Sequence, residues 1–219
     1  MSRSVPEPLA STAKATHGYH HGALRAALLA AARILAAEVG VDNFTLRELA
    51  RRAGVSHAAP YHHFEDKAAL VRALATKAFD RLAQTLRAAA GIKGSPLKKL
   101  QAVGMAYVRF AVANPAEFRF MFRRDLCVPK AAQAADADLA GTSQAAYQVL
   151  VDAIAACQRA GLAPARHLDT LALTAWSTVH GLAEILLNGP TQSLTSTPKG
   201  IEELARTVIR TLQHGLEVR

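Results

Sequence analysis

The stretch FTLRELARRAGVSHAAPYHHF, residues 44–64, carries two helix starts, at Thr45 and Ser56, with Gly54 between them. Thr45 is a natural N-cap, and Glu48 three positions on completes a Thr-x-x-Glu capping box. LRELARRA then runs for about two turns to Gly54, a residue suited to ending a helix. Ser56 is the N-cap of a second short helix, HAAPYHHF. In a helix-turn-helix, a small residue near the middle of the first helix lets the second pack across it, and Ala50 is small where that crossing falls. Leu49, Ala53, Val55 and Phe64 supply the apolar contacts. Pro60 sits at only the fourth position of the second helix. The amide it lacks would have made just the first intrahelical bond, so the penalty falls well below the ~3 kcal/mol of a mid-helix proline.

The rest of the chain is helical in pattern, and no period-two strand is evident. Residues 1–16, rich in Ser, Pro and Ala with Arg3 and Lys14, read as a flexible basic arm. From near His21, Leu24, Leu28, Ala31, Leu35 and Val39 form a one-sided stripe that stops at Gly40. Asp66 caps a longer helix carrying Leu70, Leu74, Ala78, Leu82 and Leu86, and GIKGSP at 91–96 breaks it. Further apolar helices are expected near 97–113, 115–124, 138–160, 168–187 and 201–216. The expected fold is all-α, with about nine helices. A helix-turn-helix domain at 17–66 precedes a larger Ala- and Leu-rich helical domain at 67–219.

Lys and Arg number 26 against 17 Asp and Glu, a formal +9 that favours polyanionic partners. Neither a secretory leader nor an unbroken apolar run of about 18 residues is present, so the expectation is a cytoplasmic protein with no membrane role. Cys127 and Cys157 fit neither a disulfide framework nor a zinc knuckle and read as buried, reduced bystanders.

FTLRELARRAGVSHAAPYHHFEDKAAL, residues 44–70, resembles the DNA-binding signature of the tetracycline-repressor (TetR) family, and the likeness extends from about Tyr19 to Leu74. It includes the Phe64, Lys67 and Leu70 entry to the helix that follows. The resemblance implies a DNA-binding regulator, most simply a repressor, that binds duplex DNA as a homodimer and needs no cofactor. Carried over by position, Thr45 and Leu46 approach a phosphate and Arg47 lies at the groove edge. Ser56 begins the recognition helix. His57, Ala58, Ala59 and Tyr61 face the groove, with His62 beside them, and Tyr61, His63 and Lys67 position phosphates. Pro60 departs from the pattern, since the family usually has an aliphatic residue there that buries against the preceding helix. Histidines beside phosphates hold protons more readily, so operator affinity is expected to rise as pH falls from about 8 to 6.

The C-terminal half carries the same resemblance. WSTVHG, Trp176–Gly181, is similar to a Trp-x-x-x-His-Gly signature of one subgroup, as is YHHG before the first helix. The last two helices, with Leu171, Ala172, Ala175, Trp176, Val179, Ala183 and Leu186 on one and Ile201, Leu204, Ala205, Val208, Ile209, Leu212 and Leu216 on the other, are where this family dimerises. The family also implies a small-molecule effector. Tyr107, Phe110, Phe118 and Phe122, with Trp176 and His180, fall where its cavity usually lies, although core packing accounts for most such patches and His180 reads more readily as a hydrogen-bonded core histidine.

Two other classes compete. Six of the nine histidines lie between His17 and His63, and Tyr-His-His occurs twice, which raises a histidine-metal enzyme or metal sensor. A metal site needs at least three converging ligands, whereas adjacent histidines on a helix point about 100° apart, and no HExxH or paired Cys-x-x-Cys accompanies them. An enzyme would need a catalytic constellation. The sequence has no phosphate-cradling glycine loop and no Gly-x-Ser-x-Gly elbow. The expectation is therefore no metal, no catalytic residue and no enzyme.

Overall fold

The computed structural model describes the backbone of residues 17–123, 134–165, 167–189 and 197–216, and the side chains of 22–123, 137–165, 167–189 and 197–214. The N-terminal arm and Cys127 lie outside the described residues, as do the side chains of His17, Tyr19, His20 and His21. Among the described residues there are eight α-helices, one 3-10 helix and no strand. The helices are α1 (His17–Val39), α2 (Leu46–Ala53), the 3-10 helix η1 (Ala59–His62), α3 (Lys67–Ala90), α4 (Pro96–Ala113), α5 (Pro115–Met121), α6 (Ala134–Arg159), α7 (Leu168–Asn188) and α8 (Pro198–Leu216). The first helix begins four residues ahead of His21, and α6 begins ahead of residue 138.

The starts of these helices follow local chemistry. The Glu48 amide donates to Thr45 Oγ1 at 3.2 Å, and the Ala69 amide to Asp66 Oδ1 at 2.6 Å. Ser95 caps α4 in the same way, with Pro96 at the first helical position, where its missing amide has no function. Only half of the expected capping box forms, because the Glu48 carboxylate turns forward to Arg51. Phe44 and Leu49 occupy the two staple positions flanking the Thr45 cap, and both are buried.

The second helix of the motif differs from expectation. It is a single 3-10 turn capped by Ala58, without a side-chain cap from Ser56. The reason is Pro60, which has no amide to reach the Ser56 carbonyl four residues back. Ala59 bonds that carbonyl instead, at 3.0 Å, and the i−3 spacing continues through Tyr61 to Ala58 and His63 to Pro60. Pro60 is nonetheless fully buried, taking the place against α2 that an aliphatic side chain would fill.

α3 packs against several other helices. Its buried face lies along α4, α5 and α6, and it also touches α1. α7 and α8 close the body against α4. Gly104 allows α4 and α8 to approach closely, since a Cβ there would stand 3.1 Å from Ile209 Cδ1. The short helix α5 joins α1 to α3: Glu117, 5% exposed, pairs with Arg33 of α1 at 3.4 Å and also with Arg81 of α3. Both arginines are half-exposed, so water weakens the pairs. Glu117→Gln should still lower stability by about 1–2 kcal/mol, read as a lower urea midpoint at unchanged slope.

Candidate nucleic-acid interface and ligand cavity

The turn between α2 and η1 sets which side chains face outward. Gly54 takes φ 67°, and the amides of Gly54 and Val55 both return to the last turn of α2. This reversal buries Leu46, Leu49 and Ala50 inward, with Pro60 and Phe64 from the following segment. Thr45, Arg47, Ser56, His57, Ala58, Tyr61 and His62 are left exposed, and Tyr61 keeps 52% of its surface. Ala59 and His63 are half-buried. The Leu46 side chain is buried, so any approach of this position to a phosphate would use its backbone amide at the start of α2.

The basic residues around this edge differ in their engagements. Arg51 pairs with Glu48 at 2.6 Å, and Arg52 with Glu38 of α1 at 2.5 Å. The hydrogen bond from Arg51 holds the Glu48 carboxyl below its ordinary value. Arg47 is exposed and has no carboxylate partner among the described residues. Lys67 turns back instead of outward: its ammonium donates to the Asp42 carbonyl at 2.7 Å and lies 5.1 Å from the centre of the Phe44 ring. Asp42 also receives Arg123 at 2.6 Å, which ties the α1–α2 loop to the end of α5. Among the described residues no group of three His, Cys, Asp or Glu side chains is placed to hold a metal ion.

α3, α4, α6, α7 and α8, with Met121 at the end of α5, surround a cavity of about 510 Å³. That volume lies within the usual range for small-molecule sites, about 300–1,000 Å³. Of the six residues expected at an effector site, Tyr107, Phe122 and Trp176 line it. Phe110, Phe118 and His180 sit outside its lining. Phe118 is wholly buried, with its ring centre 5.9 Å from that of Tyr107, 5.0 Å from Phe122 and 5.4 Å from His180. The Tyr107 hydroxyl hydrogen-bonds His180 Nδ1 at 2.9 Å and accepts from Trp176 Nε1 at 3.4 Å.

Several lining residues escaped the sequence reading, among them Ser143, Tyr147 and Gln213. Their helical register with Leu150 and Ile209 was the available signal, but it indicates a core face rather than a cavity. Gln213 is buried and donates to the Leu97 carbonyl at 3.1 Å.

Burial pushes the Tyr107 hydroxyl well above its ordinary value and the His180 ring below 6.5, with Glu184 opposing the latter. A neutral ring suits Nδ1 as acceptor for the Tyr107 hydroxyl. The sign of the linkage follows: below about pH 6.5 the unfolded chain takes up a proton that the folded ring resists, so stability falls as pH drops and is full above that value. The urea midpoint should thus decline between about pH 7.5 and 5.5 by more in the native chain than in His180→Asn.

A two-turn helix-turn-helix exposed at one end of a larger helical body defines a class, the helix-turn-helix DNA-binding regulators. Residues 28–74 match the family described as bacterial regulatory proteins, tetR family, and residues 100–212, more than half of the chain, match the tetracyclin repressor-like C-terminal domain. The chain belongs to the TetR family. It resembles a solved structure of a protein with unknown function from Rhodococcus sp. RHA1, with 34% identity and a TM-score of 0.78 over 93% of this chain and all of that one. The ketosteroid transcriptional regulator KstR2 of Mycobacterium tuberculosis shares the fold at 20% identity and a TM-score of 0.65, over 89% of this chain and 95% of that one. The HTH-type transcriptional repressor Rv1474c, from Mycobacterium tuberculosis, is 44% identical over 64 residues, which are 29% of this chain and 34% of the relative's length.

Proposed function

We propose that this protein is a transcriptional repressor that binds an inverted-repeat operator as a homodimer in the cytoplasm and is released by a small molecule. The observation that carries the reading is the exposed edge of Arg47, His57, Tyr61 and His62 on a motif whose opposite face buries Leu46, Leu49, Pro60 and Phe64. Residues 17–66 serve as the head and 67–219 as the body. Arg47, Tyr61 and the histidines meet phosphates and groove edges, while Ala58 and Ala59 leave room for thymine methyl groups. The likeness of one segment to a protein described as a repressor supports the sign of regulation. The Trp-x-x-x-His-Gly sequence supports a subgroup assignment, and Trp176 lines the cavity while His180 braces Tyr107.

The dimer is read through α7 and α8. α7 is apolar enough over its length to span a membrane, yet only 28% of its most apolar window is buried, and Leu173 and Ile185 are about half-exposed. In a DNA-binding regulator, a second copy related by a two-fold axis covers such a face. Two copies double the formal charge of +9 to +18, which favours fast, salt-sensitive association with DNA.

The test is selection of fragmented genomic DNA by the full-length protein. The expected result is one enriched inverted repeat whose half-site centres lie about 34–36 Å apart. Recovery of fragments with no shared sequence would overturn the reading.

A further inference from the structure

The cavity lined by Tyr107 and Trp176 differs chemically from another concavity among the described residues. A groove between α1 and α5 is lined by Arg33, Glu38, Asp42, Glu117, Arg119 and Arg123. Its charges are largely engaged with one another or with neighbours, Arg33 with Glu117, Arg123 with Asp42, and Glu38 with Arg52. The cavity framed by α3, α4, α6, α7 and α8 has no charged side chain among its described lining residues. Its walls are aliphatic and aromatic, from Phe79 and Leu82 on α3 to Leu100 and Val103 on α4 and Leu150 on α6.

Two facts narrow what such a site accepts. A buried carboxylate, phosphate or ammonium group needs an opposite charge or several donors or acceptors, and the described lining residues supply no charge. The polar groups it does contain are few. The Tyr107 hydroxyl is engaged on both sides, by His180 and Trp176. Gln213 directs its amide nitrogen to the Leu97 carbonyl, which leaves the amide oxygen as an acceptor. Ser143 donates to the Ala140 carbonyl, and Tyr147 borders the cavity with its ring edge-on to Trp176 at 5.9 Å.

Resting on the reading of this cavity as the effector site, we propose that it takes an uncharged, largely apolar small molecule carrying one hydroxyl or carbonyl group, which meets Gln213 or Tyr147. Acidic and cationic molecules of the same size and shape are rejected, because entering would strip their hydration with no charged partner in return. Neutral lipid-like alcohols, ketones and terpenoid or steroid skeletons fit this description, and free fatty acids do not.

The protein carries its own reporter. Trp176 is the single tryptophan of the chain and lies in the cavity wall. The full-length protein is titrated at about pH 7.5, where carboxylates and amines are ionised, with 1-decanol, decanoate and decylamine, following Trp176 emission. Decanol should shift or quench the emission, with both charged probes binding at least about tenfold more weakly. Equal or tighter binding of either charged probe, or no response to any of the three, overturns the proposal.

A second arm reverses the chemistry. Ser143→Lys, at a half-buried wall position, should move the preference towards decanoate; Gln144→Lys, on an exposed turn of the same helix, serves if the first variant does not fold. A folded variant that still prefers decanol over decanoate by the native ratio counts against the proposal. Addition of each probe to the protein on its selected operator separates the two readings. Decanol that binds without releasing DNA sinks the effector reading and leaves the ligand class standing. Release by decanoate but not by decanol does the reverse.

Discussion

Replacing Tyr61 by alanine should lower affinity for the selected operator by about 1–3 kcal/mol, roughly five- to 150-fold, while leaving the folded protein as stable as before. The reasoning is geometric. Tyr61 is 52% exposed at the end of a 3-10 turn that Pro60 anchors from beneath, so its side chain contributes little to the core yet is rigidly presented. Surface substitutions of this kind usually move stability by less than about 0.5 kcal/mol. Arg47→Ala should weaken binding less selectively and reduce the slope of log affinity against log salt by about one, as expected of a phosphate contact. Lys93→Ala, equally basic and exposed but in the turn before α4, is the control for general charge and should change little. Binding curves at three salt concentrations, with unfolding curves for the same proteins, check all of these. A Tyr61→Ala protein of native stability and native affinity would remove the turn from the DNA interface.

Phe118→Ala should produce the largest loss of stability, about 3–5 kcal/mol by urea unfolding. The ring is wholly buried and meets Tyr107, His180 and Phe122 at once, so its removal leaves a void that these neighbours cannot fill without breaking the Tyr107–His180 hydrogen bond. Against a typical total of about 5–15 kcal/mol, a loss of that size leaves part of the population unfolded at ambient temperature. Phe118→Leu keeps most of the volume and should lose less than about 1.5 kcal/mol. A Phe118→Ala protein as stable as Phe118→Leu would mean that the aromatic cluster collapses freely, contrary to the close packing seen around Tyr107.

These two residues mark different degrees of legibility. Tyr61 was readable as an outward-facing residue because its position follows from signals within a few residues: the Thr45 cap, the Gly54 reversal and the apolar set that must turn inward. Phe118 was read as an effector contact because its place in the chain matched where a cavity is expected, and composition cannot distinguish a side chain in a cavity wall from one in the solid core behind it. The same limit applies to Phe110, whereas the hydrogen bond of His180 to Tyr107 agrees with its reading as a core histidine. Lys67 was legible as a cation at a helix start, but its partners, the Asp42 carbonyl and the Phe44 ring, come from a loop 25 residues earlier.

What the sequence determined by itself is therefore the local level: which segments are helical, where Thr45, Asp66 and Gly54 start and stop them, and which face of α2 is buried, because each follows from interactions over three or four residues. Only the tertiary structure decided that the recognition segment is a 3-10 turn over a buried proline, that Glu117 joins α1 to α3, and that helices remote in sequence surround a cavity with no charged side chain among its described lining residues, bordered by Tyr147 and Gln213. The physical reason is that these depend on distances between helices remote in the chain, set by how whole side-chain layers fit together rather than by any single stripe.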